Sequence, residues 1–228
     1  MDLSSERARR IDKEYLSQIG MLLYIAQATR PDIMFSVNLL AHFSKNTTPK
    51  HWAALDHLIA YMRGSSDKAL VIQADGCDRS LKVYVDANWG GEGSRSQHGF
   101  IVFLMGAPIA WNSKRQTCVA SSTCQAEYMA MSFAAKTGNW ISQNIAAITG
   151  NITPLLLSDN QSAVKIATNS GSQKNSRRIQ QEFHLINELV TNQHVWIKWI
   201  ASGDQKADIF TKKLAKIKVN EFCKGILF

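Results

Sequence analysis

The sequence predicts an α/β fold in which a mixed sheet is flanked by helices and preceded by a small helical segment. Apolar residues recur at helical spacing from about residue 14 to residue 64. From residue 69 onward, short β-prone stretches first follow one another and then alternate with helical stretches. This order is typical of a mixed sheet covered by helices. With 228 residues, of which 45% are hydrophobic, the chain can form one large domain or two small ones.

The first 66 residues are predicted to form the helical segment. Residues 1–13 are charged and lack periodicity, so we expect a flexible arm there. Three helices are predicted to follow. Apolar residues at helical spacing from Tyr15 indicate the first, and Pro31 suits the first position of the second. The third begins with Thr48 as N-cap and Pro49 as its first residue, and it ends at Gly64. The turn at 64–67 predicts a boundary, with 14–66 as one helical unit and 67–228 as the domain that contains the sheet.

The second domain is predicted to begin with β-prone stretches, which then give way to alternating helices and strands. The β-prone stretches are 69–74, 81–85, 100–105, 108–111, 155–157 and 195–200. The helical stretches run from 121 or 122 to about 138 or beyond, and over 161–168, 178–192 and 205–214. Gly106-Ala107 predicts a hairpin turn, and 169–175 a polar loop.

Charge and composition narrow the class of protein. The net charge of +8 favours a polyanionic partner, although this signal alone is weak. The four cysteines form no CxxC pair, which predicts free thiols in a reducing compartment. No apolar run reaches the roughly 18–20 residues of a membrane span, and the polar start is unlike a secretory signal. We therefore expect an intracellular protein of the cytoplasm or nucleus without a membrane partner.

Four acidic residues fall near the ends of predicted strands or the beginnings of predicted helices. They are Asp86, Glu127, Asp159 and Asp208. A carboxylate directly after an apolar strand lies where open sheets place their ligands. Clustered carboxylates raise one another's pKa values unless cations neutralise them, and Mg²⁺ prefers oxygen ligands of this kind. Spacing alone leaves a structural reading open for each acid. Asp159 would then cap a helix, Glu127 would lie on an exposed helix face, and Asp208 would favour a helix N-terminus.

Several long motifs in a fixed order resemble a known family. They are YLSQIGMLLYIAQATRPDIMFSVNLLAHFS, HWAALDHLIAYMRGS, VDANWGG, GFIVFLMGAPIAWNSKRQTCVASSTCQAEYMAMSFAAK, LLLSDNQSAVKIA and QKADIFTKKL. Together they resemble the C-terminal end of the polyprotein of Ty1/copia-type retrotransposons, where reverse transcriptase runs into ribonuclease H. The resemblance covers nearly all of the chain between residues 15 and 214.

This resemblance implies a ribonuclease H-like sheet domain, with 14–66 as a helical remnant of the reverse transcriptase thumb or connection. It implies an endoribonuclease that hydrolyses the RNA strand of RNA–DNA hybrids with two Mg²⁺ ions, or Mn²⁺ in their place. The family's four acids match Asp86, Glu127, Asp159 and Asp208. Besides the hybrid, the reverse transcriptase polymerase region or other polyprotein parts are expected partners.

Residues near the acids in sequence are candidates for hybrid recognition. The candidates for contact with the 2′-hydroxyl are Asn88, Gly90, Ser122, Thr123, Gln125, Asn160 and Gln161. The candidates for phosphate contact include Arg177 and Arg178, with Lys212 and Lys213 as others. Turn and cap roles remain the structural alternative for the polar residues.

The sequence also departs from the family pattern. Asn88 and Gln125 stand where relatives often have acids, and the loop at 173–179 lacks the family's two histidines. The missing histidines and the absence of a Tyr-x-Asp-Asp polymerase motif keep open a second hypothesis, a catalytically degenerate or domesticated module that binds nucleic acid without cutting it. A third hypothesis is a structural scaffold whose residues 14–64 serve protein contacts.

Overall fold

The computed structural model describes residues 3–168 and 177–227, and the side chains of 13–168 and 181–227. The helices are α1 (Leu3–Ala28), α2 (Met34–Ala41), α3 (Pro49–Arg63), α4 (Thr123–Thr149), α5 (Gln161–Thr168), α6 (Arg177–Thr191) and α7 (Lys216–Lys224). The strands are β1 (Leu81–Asn88), β2 (Gln97–Leu104), β3 (Ala107–Arg115), β4 (Leu155–Ser158) and β5 (Trp196–Trp199). Within the described ranges, no helix combines the length and the apolar character needed to cross a membrane.

The five strands form one mixed sheet in the order β3-β2-β1-β4-β5, which confirms the predicted fold class. The strands β1, β2 and β3 form an antiparallel meander. The strands β1, β4 and β5 run parallel, with α4 in the connection from β1 to β4. Because parallel strands end at the same edge, the residues that follow β1 and β4 are brought together.

The hairpin between β2 and β3 lies one residue earlier than the sequence suggested. Leu104 pairs with Ala107, so the two turn residues are Met105 and Gly106. Both have positive φ, at 51° and 81°, as a type I′ turn requires. Within this turn, Met105 adopts a left-handed conformation although it carries a side chain.

Both faces of the sheet are buried. On one face, Val83 and Val85 of β1 pack with Met131 of α4 in a core that also receives α5 and α6. On the other face, Ile101 and Phe103 of β2 belong to a second core. That core is completed by residues of α1, α2, α3 and α7, among them Tyr15, Val37, Leu55 and Cys223. The predicted small helical segment thus covers one face of the sheet.

Polar contacts fix this helical segment. The guanidinium of Arg30 donates two hydrogen bonds to Asp32, at 2.9 and 2.7 Å, in a pair whose side chains are almost fully buried. The same group donates to the carbonyl and hydroxyl oxygens of Ser65, which lies in the turn after α3. Trp111 Nε1 of β3 donates to the carbonyl oxygen of Ala26 at 2.7 Å. The Arg30 contacts hold the helical segment together, and the Trp111 contact joins it to the sheet, while the division at residue 66 stays a prediction.

Three elements differ from the sequence prediction. Helix α1 begins at Leu3, so residues 3–13 are helical where we expected a flexible arm. The stretch 69–74 is not a strand, because only Leu70 forms a bridge, to Leu227. The stretch 205–214 is not an α-helix, since it contains the 3₁₀ helix Lys206–Phe210 and is held on the sheet by hydrogen bonds. The predicted loop 169–175 lies outside the described residues.

We expect Leu55→Ala to lower the free energy of unfolding by about 2–5 kcal/mol, as large-to-small changes in a packed core do. Leu55 is fully buried under the sheet, whereas Leu16 on α1 is 56% exposed and provides the matched control Leu16→Ala. Thermal denaturation followed by circular dichroism would measure both. Because the helical segment shares a core with the sheet, the Leu55→Ala protein should still unfold in one transition. An early separate transition would contradict the shared core.

Candidate active site

Three of the four predicted acids meet at the carboxyl edge of the sheet. Asp86 lies near the end of β1, Asp159 directly follows β4, and Glu127 lies in the second turn of α4. One ligand oxygen from each carboxylate lies within 4.8 Å of the others. The parallel pairing of β1 with β4 brings the two aspartates together, and the start of α4 crosses the same edge with Glu127.

Asp208, the fourth acid, is linked to this cluster by the side chain of Lys212. Lys212 Nζ lies 2.7 Å from Asp208 Oδ1 and 3.2 Å from Asp86 Oδ1. Thr211 also donates a hydrogen bond from its hydroxyl to Asp86 Oδ2. The structure therefore places the fourth acid beside the cluster but separates it from Asp86 by one ammonium group.

A close approach to the sheet positions this segment. Gly99 of β2 pairs with Asp86 of β1, and a Cβ atom at residue 99 would collide with the Cβ atom of Phe210. Ser113 Oγ donates to the carbonyl oxygen of Phe210 at 2.5 Å, and Gln205 Nε2 donates to that of Val85 at 2.9 Å. Only glycine at 99 allows the backbone that carries Asp208 to lie against the strand that carries Asp86.

Burial and mutual repulsion dominate the electrostatics of the cluster. Burial, followed by the charges of Asp86 and Asp159, raises the pKa of Glu127 to about 9, although the backbone amide of Ala87 opposes this. Burial also raises the pKa of Asp86, against the opposing effect of the Lys212 charge. Burial alone would lower the pKa of Lys212. The negative charges and hydrogen bonds of Asp86 and Asp208 have the larger effect and raise the pKa of the lysine above its ordinary value.

The donor set fits a hard divalent cation. Glu127 is 4% exposed, and its Oε2 has no hydrogen-bond partner among the described residues. A buried carboxylate oxygen without a partner is costly, and a cation would satisfy it. All three clustered side chains offer oxygen, which Mg²⁺ prefers over nitrogen or sulfur ligands. Asp86, Glu127 and Asp159 are therefore the residues that would hold such an ion.

The acids open into a cavity of about 420 Å³. It is lined by Asp86, Ala87, Asn88, Trp89, Thr123, Glu127, Asp159, Asn160 and Lys212. A larger hollow of about 560 Å³ lies between the sheet and α7, but it includes none of the three clustered acids. Cavity size therefore does not locate this site, whereas the convergence of carboxylates does.

The structure divides the candidate substrate residues into three groups. Asn88, Thr123 and Asn160 line the acidic cavity. Ser122, Gln125, Gly90 and Gln161 do not line it. The side chains of Ser122 and Gln125 cap the start of α4, and the Gly90 amide donates a hydrogen bond to Ser96 Oγ. Gln161 is exposed at the start of α5. Arg177 and Arg178 lie in α6, but their side chains fall outside the described residues.

Sequence reasoning missed three contributors to the site. We had considered Lys212 as a phosphate contact, yet its ammonium pairs with two of the acids. Its position four residues after Asp208 was the available signal. Thr211, which bonds Asp86, gave no such signal. Trp199 Nε1 of β5 donates to the carbonyl oxygen of Asp159 at 3.0 Å, and its strand pattern alone could not reveal this contact.

Comparison with known proteins identifies the relatives of the chain. The Pol polyprotein of transposon TNT 1-94 from Nicotiana tabacum is 30% identical over 225 residues, which are 97% of this chain and 17% of that protein. The corresponding polyprotein of transposon RE2 from Arabidopsis thaliana is 30% identical over 93% of this chain and 15% of its own length. The chain is homologous to copia-type retrotransposon Pol polyproteins. It spans about a sixth of the length of these relatives.

Other matches are shorter or concern the fold. Secreted RxLR effector protein 161 of Plasmopara viticola is 36% identical over 129 residues, which are 56% of this chain and 90% of that protein. Ribonuclease H1 of Halobacterium salinarum covers 58% of the chain at 21% identity with a TM-score of 0.44. The LC11 ribonuclease H1 in complex with an RNA/DNA hybrid covers 58% at 13% identity with a TM-score of 0.47. No protein-family model matches this chain.

Replacing Glu127 by a neutral residue should stabilise the metal-free protein, because the fold keeps this carboxyl protonated up to a pH of about 9, whereas the unfolded chain ionises it near its ordinary value. We expect Glu127→Gln in EDTA at about pH 8 to raise the melting temperature by at least about 2–4 °C, the shift that roughly 1 kcal/mol gives a protein of this size. The exposed Glu188 on α6 provides the matched control Glu188→Gln, which should change the melting temperature little. A lower melting temperature for Glu127→Gln than for wild type would contradict the repulsion in this cluster.

The raised pKa of Glu127 also predicts how stability depends on pH. The pKa in the folded protein is about 9 against an ordinary 4.5, so the stabilising contribution is complete below the ordinary value and is lost as pH rises toward 9. Asp86, whose pKa is also raised, acts in the same direction. Melting temperatures in EDTA should therefore fall across this interval more steeply for wild type than for Glu127→Gln. Parallel pH profiles for the two proteins would argue against this assignment.

Proposed function

We propose that this copia-type homologue is a metal-dependent ribonuclease H that hydrolyses the RNA strand of RNA–DNA hybrids. The observation that supports it most is the cluster of the buried Asp86 and Glu127 with the half-buried Asp159, in which one Glu127 oxygen has no hydrogen-bond partner among the described residues. The ribonuclease H-like fold and the homology to retrotransposon Pol polyproteins support a nuclease of this type from a retroelement. Fold alone would not specify an activity, so the proposal rests on the site.

The proposed cofactor is a pair of Mg²⁺ ions, for which Mn²⁺ could substitute. Asp86, Glu127 and Asp159 would hold one ion, and Asp86 with Asp208 would hold the other. When bound, such a pair stabilises the attacking and leaving oxygens of an in-line phosphoryl displacement and lowers the pKa of a coordinated water. The four carboxylates are the proposed catalytic residues.

The chain itself contributes rigid positioning and a low-dielectric surrounding. Asp86 is 1% exposed and receives the Thr211 hydroxyl, so its carboxylate is held in one orientation. The Trp199 indole holds the backbone at Asp159 in the same way. Electrostatic interactions with a bound phosphate are stronger in a site from which water is largely excluded. We infer that these contacts orient the carboxylates before substrate arrives.

Polar residues around the cavity are proposed to recognise the hybrid. Asn88, Thr123 and Asn160 line it and can donate to or accept from a 2′-hydroxyl. Asn160 Oδ1 already accepts from the Ala163 amide at 3.0 Å, which leaves its NH₂ group as the donor. Further proposed substrate contacts are Gly90, Ser122, Gln125 and Gln161 beside the cavity, and Arg177 and Arg178 for phosphate. The net charge of +8 suits a polyanion.

The helical segment and the sheet domain suggest how the chain relates to a longer protein. We propose that residues 14–66 are a remnant of the reverse transcriptase thumb or connection and that 67–228 form the nuclease domain. The polymerase region and other polyprotein parts are proposed partners, because the relatives are much longer than this chain.

Binding without cleavage is the second candidate function. The observation that favours it is Lys212, which pairs with Asp86 and Asp208 where the second ion would bind. The loop at 173–179, which lacks the family's histidines, gives further reason to test turnover. Salt-sensitive binding of a hybrid with no Mg²⁺-dependent cleavage would select this alternative.

Asp159→Asn provides the decisive test of the nuclease proposal. The change removes a metal-binding charge while it keeps the shape of the side chain, so we expect the rate of hybrid cleavage to fall by a factor of about 10² or more, equivalent to about 3 kcal/mol. Cleavage of a labelled RNA–DNA hybrid in Mg²⁺ measures this. Asp56→Asn, at an exposed position on α3, is the matched control and should retain the wild-type rate. An unchanged rate in Asp159→Asn would exclude the assigned site.

A further inference from the structure

The ammonium group of Lys212 lies between two of the four acids. It contacts Asp208 Oδ1 at 2.7 Å and Asp86 Oδ1 at 3.2 Å, and it lines the same cavity as Asp159. The side chain of Asp86 is 1% exposed and that of Asp208 is 14% exposed, whereas that of Lys212 is 37% exposed. The lysine therefore reaches from the cavity mouth to two largely buried carboxylates.

The Lys212 ammonium lies where Asp86 and Asp208 would hold a second cation. A divalent ion shared by Asp86 and Asp208 would have to approach their oxygens to about 2.0–2.1 Å for Mg²⁺. The Lys212 ammonium fills the gap between those oxygens, so both cations cannot occupy it together. The other half of the site shares Asp86, but its two further acids, Glu127 and Asp159, are not among the hydrogen-bond partners of Lys212.

We propose that Lys212 is a positioning residue that acts as a built-in cation, stabilises the Asp86–Asp208 half of the site before metal is bound, and must leave before a second ion can bind there. The inference rests on the proposed function, in which Asp208 is a metal ligand. It sets an order of loading: Asp86, Glu127 and Asp159 would hold a first ion, and Asp86 with Asp208 would take a second only after the lysine has moved out.

The side chain is suited to this movement. A lysine head is a compact charge on a flexible four-carbon stem, and its partial exposure gives it a route to solvent. Asp86 keeps the Thr211 hydroxyl as a hydrogen-bond partner when the lysine leaves, so its carboxylate stays oriented. A phosphate of the bound hybrid that enters the cavity can attract the released ammonium.

The test is Lys212→Gln, with Lys212→Arg as the conservative variant and Lys213→Gln as the matched control. The control removes the same charge one residue further along, from an exposed position. Binding of Mg²⁺ alone, without nucleic acid, is measured by isothermal titration calorimetry. We expect the weaker Mg²⁺ site to bind roughly tenfold more tightly in Lys212→Gln, equivalent to about 1.4 kcal/mol, because a neutral side chain does not compete with the ion for Asp86 and Asp208. The arginine variant and the control should bind as wild type does.

Melting temperatures over a series of Mg²⁺ concentrations give a second readout that needs no metal-free preparation. Lys212→Gln should melt below wild type at low Mg²⁺ and should gain more from added Mg²⁺, because repulsion between Asp86 and Asp208 is then relieved only by metal. Equal Mg²⁺ affinities and equal thermal gains in all four proteins would overturn the inference.

The outcome also separates this inference from the proposed nuclease. If wild type cleaves a hybrid but Lys212→Gln binds Mg²⁺ as wild type does, the lysine inference alone fails. If wild type does not cleave and Lys212→Gln still shows the tighter second site, the lysine inference holds and the nuclease proposal fails.

Discussion

Repulsion between carboxylates at one edge of the sheet is the constraint on which the site depends. The parallel pairing of β1 and β4 forces Asp86 and Asp159 together, and α4 adds the buried Glu127. Positive charge is needed to make this arrangement tolerable, and the described residues supply one ammonium group in contact with the acids. The site therefore stores an electrostatic cost that a bound cation would release, as binding sites commonly do at the expense of stability.

The sheet can carry this cost because both of its faces are packed. Helix α4 and its neighbours cover one face, and the N-terminal helices with α7 cover the other. The second cover also fixes the site, since Phe210, in contact with Gly99, belongs to that core and lies two residues from Asp208. The helical segment thus contributes to the geometry of the acids without supplying any of them.

Much of the fold and of the acidic cluster could be predicted from the sequence. Short β-prone stretches predicted β1 and the two hairpin strands, start and end signals predicted α2 and α3, and an apolar strand before Asp159 predicted its position. The stretch around Asp208 was harder, because its helical pattern competes with hydrogen bonds from Gln205 and Ser113 that hold it on the sheet. The role of Lys212 was beyond prediction, since a contact between residues 86 and 212 depends on the whole topology. The helical N-terminus at Leu3 was missed because its charged residues lack an apolar stripe.

The turn between α3 and the sheet has a consequence for how the folded chain would meet a protease. Ser65 is 4% exposed, and its backbone and hydroxyl oxygens are both engaged by Arg30. A protease acting on a longer precursor would have to open this turn before it could cut there, and the cut would leave the cover of one sheet face held only by its packing and hydrogen bonds. An intact junction at this point would therefore help to keep that face of the sheet covered in any shorter product of a longer precursor.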